Sequence, residues 1–197
     1  MSIPWGDIAT FSTAGLSAVA TAGAWLAAHR SAKTAETLTR IERDRRREER
    51  RPQLELTLGG GAQAHSTLDI HLAGPDELGE VEFLSVRVDD DDKDRSHVLG
   101  IGATAEQLTN HVWGPFRFTP RVDQADEHGR TMGPFKLRVG RGRRFQMDRT
   151  QPGQWMDGKT MEQWQDEYRD HPVRLVITCR TNGDEWTLAR QLPNEAY

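Results

Sequence analysis

Twenty-one consecutive residues without a charge, Ile8–Ala28 (IATFSTAGLSAVATAGAWLAA), run directly into the most densely charged stretch of the chain. As a helix this segment would be about 31 Å long at about 1.5 Å per residue, which matches a hydrocarbon core about 30 Å thick. Only Ile8, Phe11, Leu16, Val19, Trp25 and Leu26 are strongly apolar, and much of the rest is Ala, Ser, Thr and Gly. The segment would therefore insert marginally. Its flanks favour insertion: Trp5 and Trp25 lie near the two ends, where interfacial aromatics belong. The basic residues Arg30, Lys33 and Arg40 all follow the segment and none precedes it, so the positive-inside rule places the N-terminus outside and the C-terminal part in the cytoplasm. Those three cations would then lie close to anionic lipid.

Two other readings compete. A cleaved signal peptide needs a basic n-region, which MSIPWGD lacks. A soluble helix packed in a homo-oligomer would use the small residues Ala14, Ala18, Ala22 and Gly15, Val19, Gly23, which recur every fourth position and allow close helix approach. We expect the first reading, a single transmembrane anchor within residues 1–29.

Residues 30–52 form a different kind of segment. From Arg30 to Arg51 there is no Gly or Pro, and nine Lys/Arg face five Asp/Glu. The abundance of Ala, Glu and Arg predicts a helix. Ala28, Ala32, Ala35, Leu38 and Ile41 make one narrow apolar stripe, shorter than a coiled coil normally requires. Glu36–Arg40 and Glu42–Arg46 are favourably oriented i,i+4 pairs. Pro52 should end the helix near Arg50 or Arg51. We read a solvated helical stalk. The arginines lack interleaved aromatics and the body beyond is acidic, which argues against nucleic-acid binding.

From Pro52 onward the chain carries 17 basic and 24 acidic residues. Short alternating runs predict strands at Gln53–Leu58, Leu68–Leu72, Glu82–Val88, Val173–Arg180 and Glu185–Leu192, with weaker signals at Val112–Thr119 and Arg143–Arg149. Gly59-Gly60-Gly61 is a plausible hairpin connection. Asn182-Gly183 between two apolar runs is a stronger one. Thr104-Ala105-Glu106-Gln107 and Thr160-Met161-Glu162-Gln163 read as capping boxes opening helices to about Val112 and Arg169. Met161, Trp164, Gln165 and Tyr168 would share a face of the second. The expected fold of residues 53–197 is mainly β with short helical insertions, β-sandwich-like, behind a long N-terminal helix made of anchor and stalk.

Chemistry is harder to find. The run after the third strand offers Asp89, Asp90, Asp92 and Asp94 as a calcium candidate, but without EF-hand spacing. A solvated turn is the preferred reading. The seven histidines (29, 65, 71, 97, 111, 128 and 171) form no HExxH, and Cys179 has no CxxC partner, so no zinc site is expected. Gly140-Arg141-Gly142-Arg143-Arg144 lacks the P-loop pattern and reads as a hairpin turn. Trp113, Trp155, Trp164 and Trp186 read as packing residues rather than a ligand platform. No catalytic or cofactor-binding residue is assigned, and no cofactor is expected.

Four stretches, WGDIATFSTAGLSAVATAGAWLAAHRSAKTAETLTRIERDRR, LAGPDELGEVEFLSVRVDD, TAEQLTNHVWGPFRF and WQDEYRDHPVRLVITCR, resemble a group of uncharacterised actinobacterial small membrane proteins. The resemblance spans nearly the whole chain. It implies a single-pass anchor with a cytoplasmic domain, and assigns no activity or site residue. Together these readings favour a membrane-tethered cytoplasmic interaction module without catalytic activity, whose partners would be the lipid bilayer and a protein. The alternatives are a structural subunit packed through its N-terminal helix, and an enzyme, which would need a cleft with convergent polar groups and perturbed ionisable residues.

Overall fold

The computed structural model describes residue 33 and residues 36–60, 65–95 and 102–194. The segment expected to span a membrane, with its six apolar anchor residues and Arg30, lies outside them. No helix among the described residues is long and apolar enough to cross a membrane. The chain divides into two compact units, Met1–Glu49 and Arg50–Tyr197.

In the first unit, residues 36–49 form a helix, α1, whose described side chains are all exposed, Arg40 among them, as is Lys33. Glu42 pairs with Arg46 at 3.0 Å as its spacing predicts, and Arg45 pairs with Glu49 at 2.9 Å. Helix gives way to a turn at Arg50, two residues before Pro52, where the proline restricts the preceding backbone.

The second unit is mainly β. Among the described residues nine strands run in chain order: β1 (Gln53–Gly59), β2 (His65–Gly74), β3 (Glu80–Asp89), β4 (Phe116–Phe118), β5 (Thr131–Met132), β6 (Phe135–Arg138), β7 (Arg141–Arg149), β8 (Val173–Thr181) and β9 (Asp184–Leu192). They make two antiparallel sheets. One has the order β1-β2-β7-β4; the other has β5-β3-β8-β9, with β6 also pairing β3. Helices α2 (Ala105–Asn110) and α3 (Met161–Tyr168) sit in the connections before β4 and β8.

Both sheets contribute to one hydrophobic cluster. Leu68, Ile70 and Leu72 of β2 and Phe145 and Met147 of β7 join Phe83, Val86 and Ile177 from the other sheet. Each such side chain contributes about 1.5–3 kcal/mol by leaving water. Leu54, Leu56 and Leu58 of β1 share a face as predicted and cover the edge of this cluster, half-buried. The β8–β9 hairpin turns through Asn182 (φ 50°) and Gly183 (φ 86°), with Thr181 opposite Asp184. Positive φ at both central residues is what a two-residue turn of matching twist requires.

Three local expectations need correction. The irregular alternation of β3 has a cause: the β3–β8 register shifts between Phe83 and Ser85. This bulge moves the buried phase from Val81 and Phe83 to Val86 and Val88, leaving Leu84 only half-buried. The 112–119 run is strand only at Phe116–Phe118. The Gly140 turn is tight (φ 75°) but is not a hairpin, because β6 pairs β3 while β7 pairs β2. It carries the chain from one sheet to the other, with Val139 N–H donating to Gly79 O and Gly140 N–H to Leu72 O. β5 and β6 were not expected from the sequence. They are short and separated by Gly133-Pro134, yet end to end they flank β3 opposite β8.

Candidate functional site

Beside the main core is a second, smaller cluster of Trp113, Trp164 and Tyr168, with Leu108 and Met156 against it. Both helices that frame it are set by the expected capping boxes. Gln107 N–H donates to Thr104 Oγ1 at 3.1 Å while Gln107 Oε1 accepts from Thr104 N–H at 2.8 Å. Thr160 and Gln163 repeat the exchange at 3.2 and 3.0 Å. α3 turns Trp164 and Tyr168 inward, whereas Met161, expected on the same face, is 40% exposed. Trp164 is fixed by its Nε1–H, which donates to Thr150 Oγ1 at 2.9 Å, and the Thr150 hydroxyl donates in turn to Gly114 O.

The aspartate run after β3 reaches into this cluster. Asp90 accepts from Trp113 N–H at 2.9 Å through Oδ1 and from Arg130 Nη1 at 3.0 Å through Oδ2. Arg130 also donates to His111 O, so it ties the end of α2 to the end of β3. Asp91 pairs with Arg95 at 2.5 Å and accepts from the Tyr168 hydroxyl at 3.2 Å. Burial works to raise the Asp91 pKa, but hydrogen bonds from Arg95 and Tyr168 with the charges of Arg95 and Lys93 outweigh it and hold it below the usual value. The same partnership raises Arg95 against its own burial penalty. Asp89 pairs with Arg87 at 3.0 Å, and Asp92 with Arg174 at 2.5 Å. Three of the four calcium candidates, Asp89, Asp90 and Asp92, thus face guanidinium groups, and Asp94 is exposed. Among the described residues no group of three or more His, Cys, Asp or Glu is placed to hold a metal ion.

His111 is at the centre. It caps the C-terminus of α2, its N–H donating to Gln107 O at 3.0 Å. Its ring meets Trp113, Trp155 and Trp164 nearly edge-on, with centroids 4.6, 5.3 and 5.3 Å away. The guanidinium of Arg95 lies 4.0 Å over the Trp113 ring, a favourable cation–π distance. Trp155 packs on Gly153 so closely that a Cβ there would fall 2.5 Å from the indole. Burial first, then the charges of Arg117, Arg130 and Arg95, push the His111 imidazole down to about 4. It is neutral at pH 7. Burial, reinforced by the Asp91 charge, moves the Tyr168 phenol well above its ordinary value.

Two clefts border the cluster. One, of about 190 Å³, is lined by His111, Val112, Arg117 and the Thr150–Gln154 segment. The other, of about 290 Å³, is lined by Asp90, Asp91, Lys93, Arg95, Leu108, Thr109 and Trp113. In the first, His111 Nε2 and Arg117 Nε are buried with no hydrogen-bond partner among the described residues. Buried donors are normally satisfied, so these two groups give the cleft hydrogen-bonding capacity to spare; Arg130 Nε and Trp155 Nε1 are likewise buried without a partner among the described residues, outside its lining.

No family model, curated protein or solved structure matches this chain. The site must therefore be interpreted from its own geometry. The tryptophans divide: Trp186 belongs to the main core, Trp113 and Trp164 to the second cluster, and Trp155 is half-buried against His111. His65 is apart from them, paired with Asp148 at 2.8 Å on the outer side of the first sheet.

Proposed function

We propose that the protein is a membrane-tethered interaction module without catalytic activity, one of the actinobacterial single-pass group that its sequence resembles. Ile8–Ala28 is the anchor, with the N-terminus outside. Residues 30–52 are the stalk, with Arg30, Lys33 and Arg40 near anionic lipid, and residues 53–197 are the cytoplasmic recognition domain. Two sheets with a common core support reading that domain as β-sandwich-like.

The observation that carries the recognition role is the pair of buried groups without hydrogen-bond partners in the His111 cleft, His111 Nε2 and Arg117 Nε. Acid–base catalysis works best with a group whose pKa lies near the operating pH. Here His111 is held near 4, Asp91 below its usual range, and Arg95 and Tyr168 above theirs. Thr150, which lines this cleft, has its hydroxyl committed to Gly114 and Trp164. Such a site is equipped to hold a ligand in fixed hydrogen bonds. A tether would raise the local concentration of a weak partner.

Cell fractionation tests the tether. The full chain should stay with membranes through a carbonate wash, and its C-terminus should be digested only when protease reaches the cytoplasmic face. A carbonate-soluble chain would overturn it. One observation favours the alternative of a structural subunit packed through its N-terminal helix: Leu38 and Ile41 are 61% and 58% exposed on α1. Mass measurement with and without detergent separates the two, because a soluble oligomer would need no detergent.

A further inference from the structure

The geometry points to the His111 cleft as a binding site for a small oxyanion, a carboxylate or phosphate group held by Arg117 and His111. This deepens the reading of the cleft as a recognition site and is independent of the membrane anchor.

The first argument is charge. Arg117, on the edge strand β4, is half-buried, and its one hydrogen bond among the described residues is to His128 O at 3.5 Å. It makes no ion pair with any described carboxylate, whereas its neighbours Arg95, Arg130 and Arg174 each have one. Asp148 is opposite Arg117 in the β4–β7 register but makes no ion pair with it; its Oδ1 accepts from the Thr119 hydroxyl at 2.7 Å and lies 2.8 Å from His65 Nδ1. A partly buried guanidinium without a counter-charge is costly. It is also unexpected in a domain with an excess of acids. An incoming anion would supply the missing charge.

The second argument is hydrogen bonding. Arg117 Nε and His111 Nε2 are both buried and unpartnered, and both residues line the same cleft. Arginine grips carboxylate and phosphate through parallel N–H donors, and a neutral imidazole protonated at Nε2 adds a further donor. Gln151 and Gln154 also line the cleft. The third argument is size. About 190 Å³ is below the range of about 300–1,000 Å³ typical of pockets for whole drug-sized ligands, and suits a single charged group.

An anion here has a specific consequence. Burial and the charges of Arg117, Arg130 and Arg95 keep His111 neutral, and of these arginines Arg130 and Arg95 are paired with Asp90 and Asp91. Adding negative charge in the cleft offsets the guanidiniums and must raise the His111 titration midpoint. By linkage, protonating His111 must tighten anion binding to the same degree.

The test uses the full chain in detergent micelles with isotopically labelled histidine. The His111 ring resonances are followed by NMR during separate titrations with sodium phosphate and sodium acetate, sodium chloride keeping the ionic strength constant. We expect one of the two anions to shift His111 saturably and to move its midpoint upward by at least about one pH unit. Saturation by phosphate alone assigns a phosphate group, and saturation by acetate alone a carboxylate. Arg117→Gln should weaken binding by about 10- to 100-fold, the loss typical of a charge-assisted hydrogen bond, and Arg117→Lys by about 10-fold. Arg144→Gln, at an exposed residue paired with Asp69, should leave it unchanged. No saturable shift with either anion, or equal affinity in Arg117→Gln, would overturn the assignment. If that variant does not fold, the titration of the unaltered chain decides alone.

Discussion

The buried imidazole of His111 makes the stability of the domain depend on pH. Its midpoint falls from 6.5 to about 4 on folding. The sign follows from proton counting. Between those values the unfolded chain binds a proton at this residue and the native chain does not, so lowering the pH favours unfolding. The contribution is fully present above pH 6.5 and is lost as pH falls towards 4. At about 1.36 kcal/mol per pH unit, lowering the pH from 7 to 5 should cost about 2 kcal/mol through this residue. Asp91 and Glu167, whose native pKa values lie below 3.8 and 4.5, lose their own contributions only at lower pH. The assay is urea unfolding at pH 7, 6 and 5 in amine or sulfonate buffers, since phosphate or acetate would occupy the proposed cleft. His111→Phe keeps a ring among the three indoles and removes the titration. The other histidines contribute equally to both proteins, so the difference between the two pH profiles isolates His111. Parallel profiles, or a native His111 midpoint near 6.5 by NMR, would refute the reasoning.

Three further outcomes are expected. Gly129→Ala should destabilise the domain by at least about 2 kcal/mol in denaturant titration, because Gly129 has φ +71° and a Cβ there would fall 2.0 Å from Phe118 O; a neutral result would contradict that approach. Thr150→Val should cost about 2–4 kcal/mol by thermal or chemical unfolding, since it orphans both Trp164 Nε1–H and Gly114 O, and it should perturb the near-ultraviolet tryptophan signal. Cys179 is buried and burial pushes its thiol up to about 11, so a thiol reagent at pH 8 should label it only at the rate of unfolding; rapid stoichiometric labelling of the native protein would disprove this.

What was legible in the sequence was whatever rests on local chemistry. Asn182-Gly183 specified a turn because few residue pairs tolerate two positive φ angles. Thr104 with Gln107, and Thr160 with Gln163, marked helix starts because the reciprocal bonds lie within four residues. The misses have one physical origin. The bulge at Leu84 is set by β8 across the sheet, and the inter-sheet character of the Gly140 turn by which strands β6 and β7 pair with. Neither is encoded within a window of ten residues. The site was hidden for the same reason. Asp90, His111, Arg117, Arg130 and Thr150 come from separate segments, with no spacing that a motif could capture. The capping box predicts a helix to about Val112, past His111, whereas the helix ends at Asn110 and His111 caps it, two residues before Trp113. The aspartate run was noticed, but its carboxylates serve as fasteners to arginines, Asp91 to Arg95 in the same segment and Asp90 and Asp92 to Arg130 and Arg174 farther along the chain.

The strand order also dictates when the molecule can form during synthesis. β1–β2 and β8–β9 are local hairpins, but β2 pairs with β7 and β3 with β8, bringing together residues as distant as Glu82 and Arg180. Closing loops of that length costs entropy before any contact repays it, and pairings of this kind slow folding. A nascent chain that has released β3 must keep Val81, Phe83, Val86 and Val88 out of reach of other chains until β8 is made, more than eighty residues later. The ribosome-bound intermediate is therefore the species most exposed to aggregation, and truncation before Val173 should leave both sheets without a stable core.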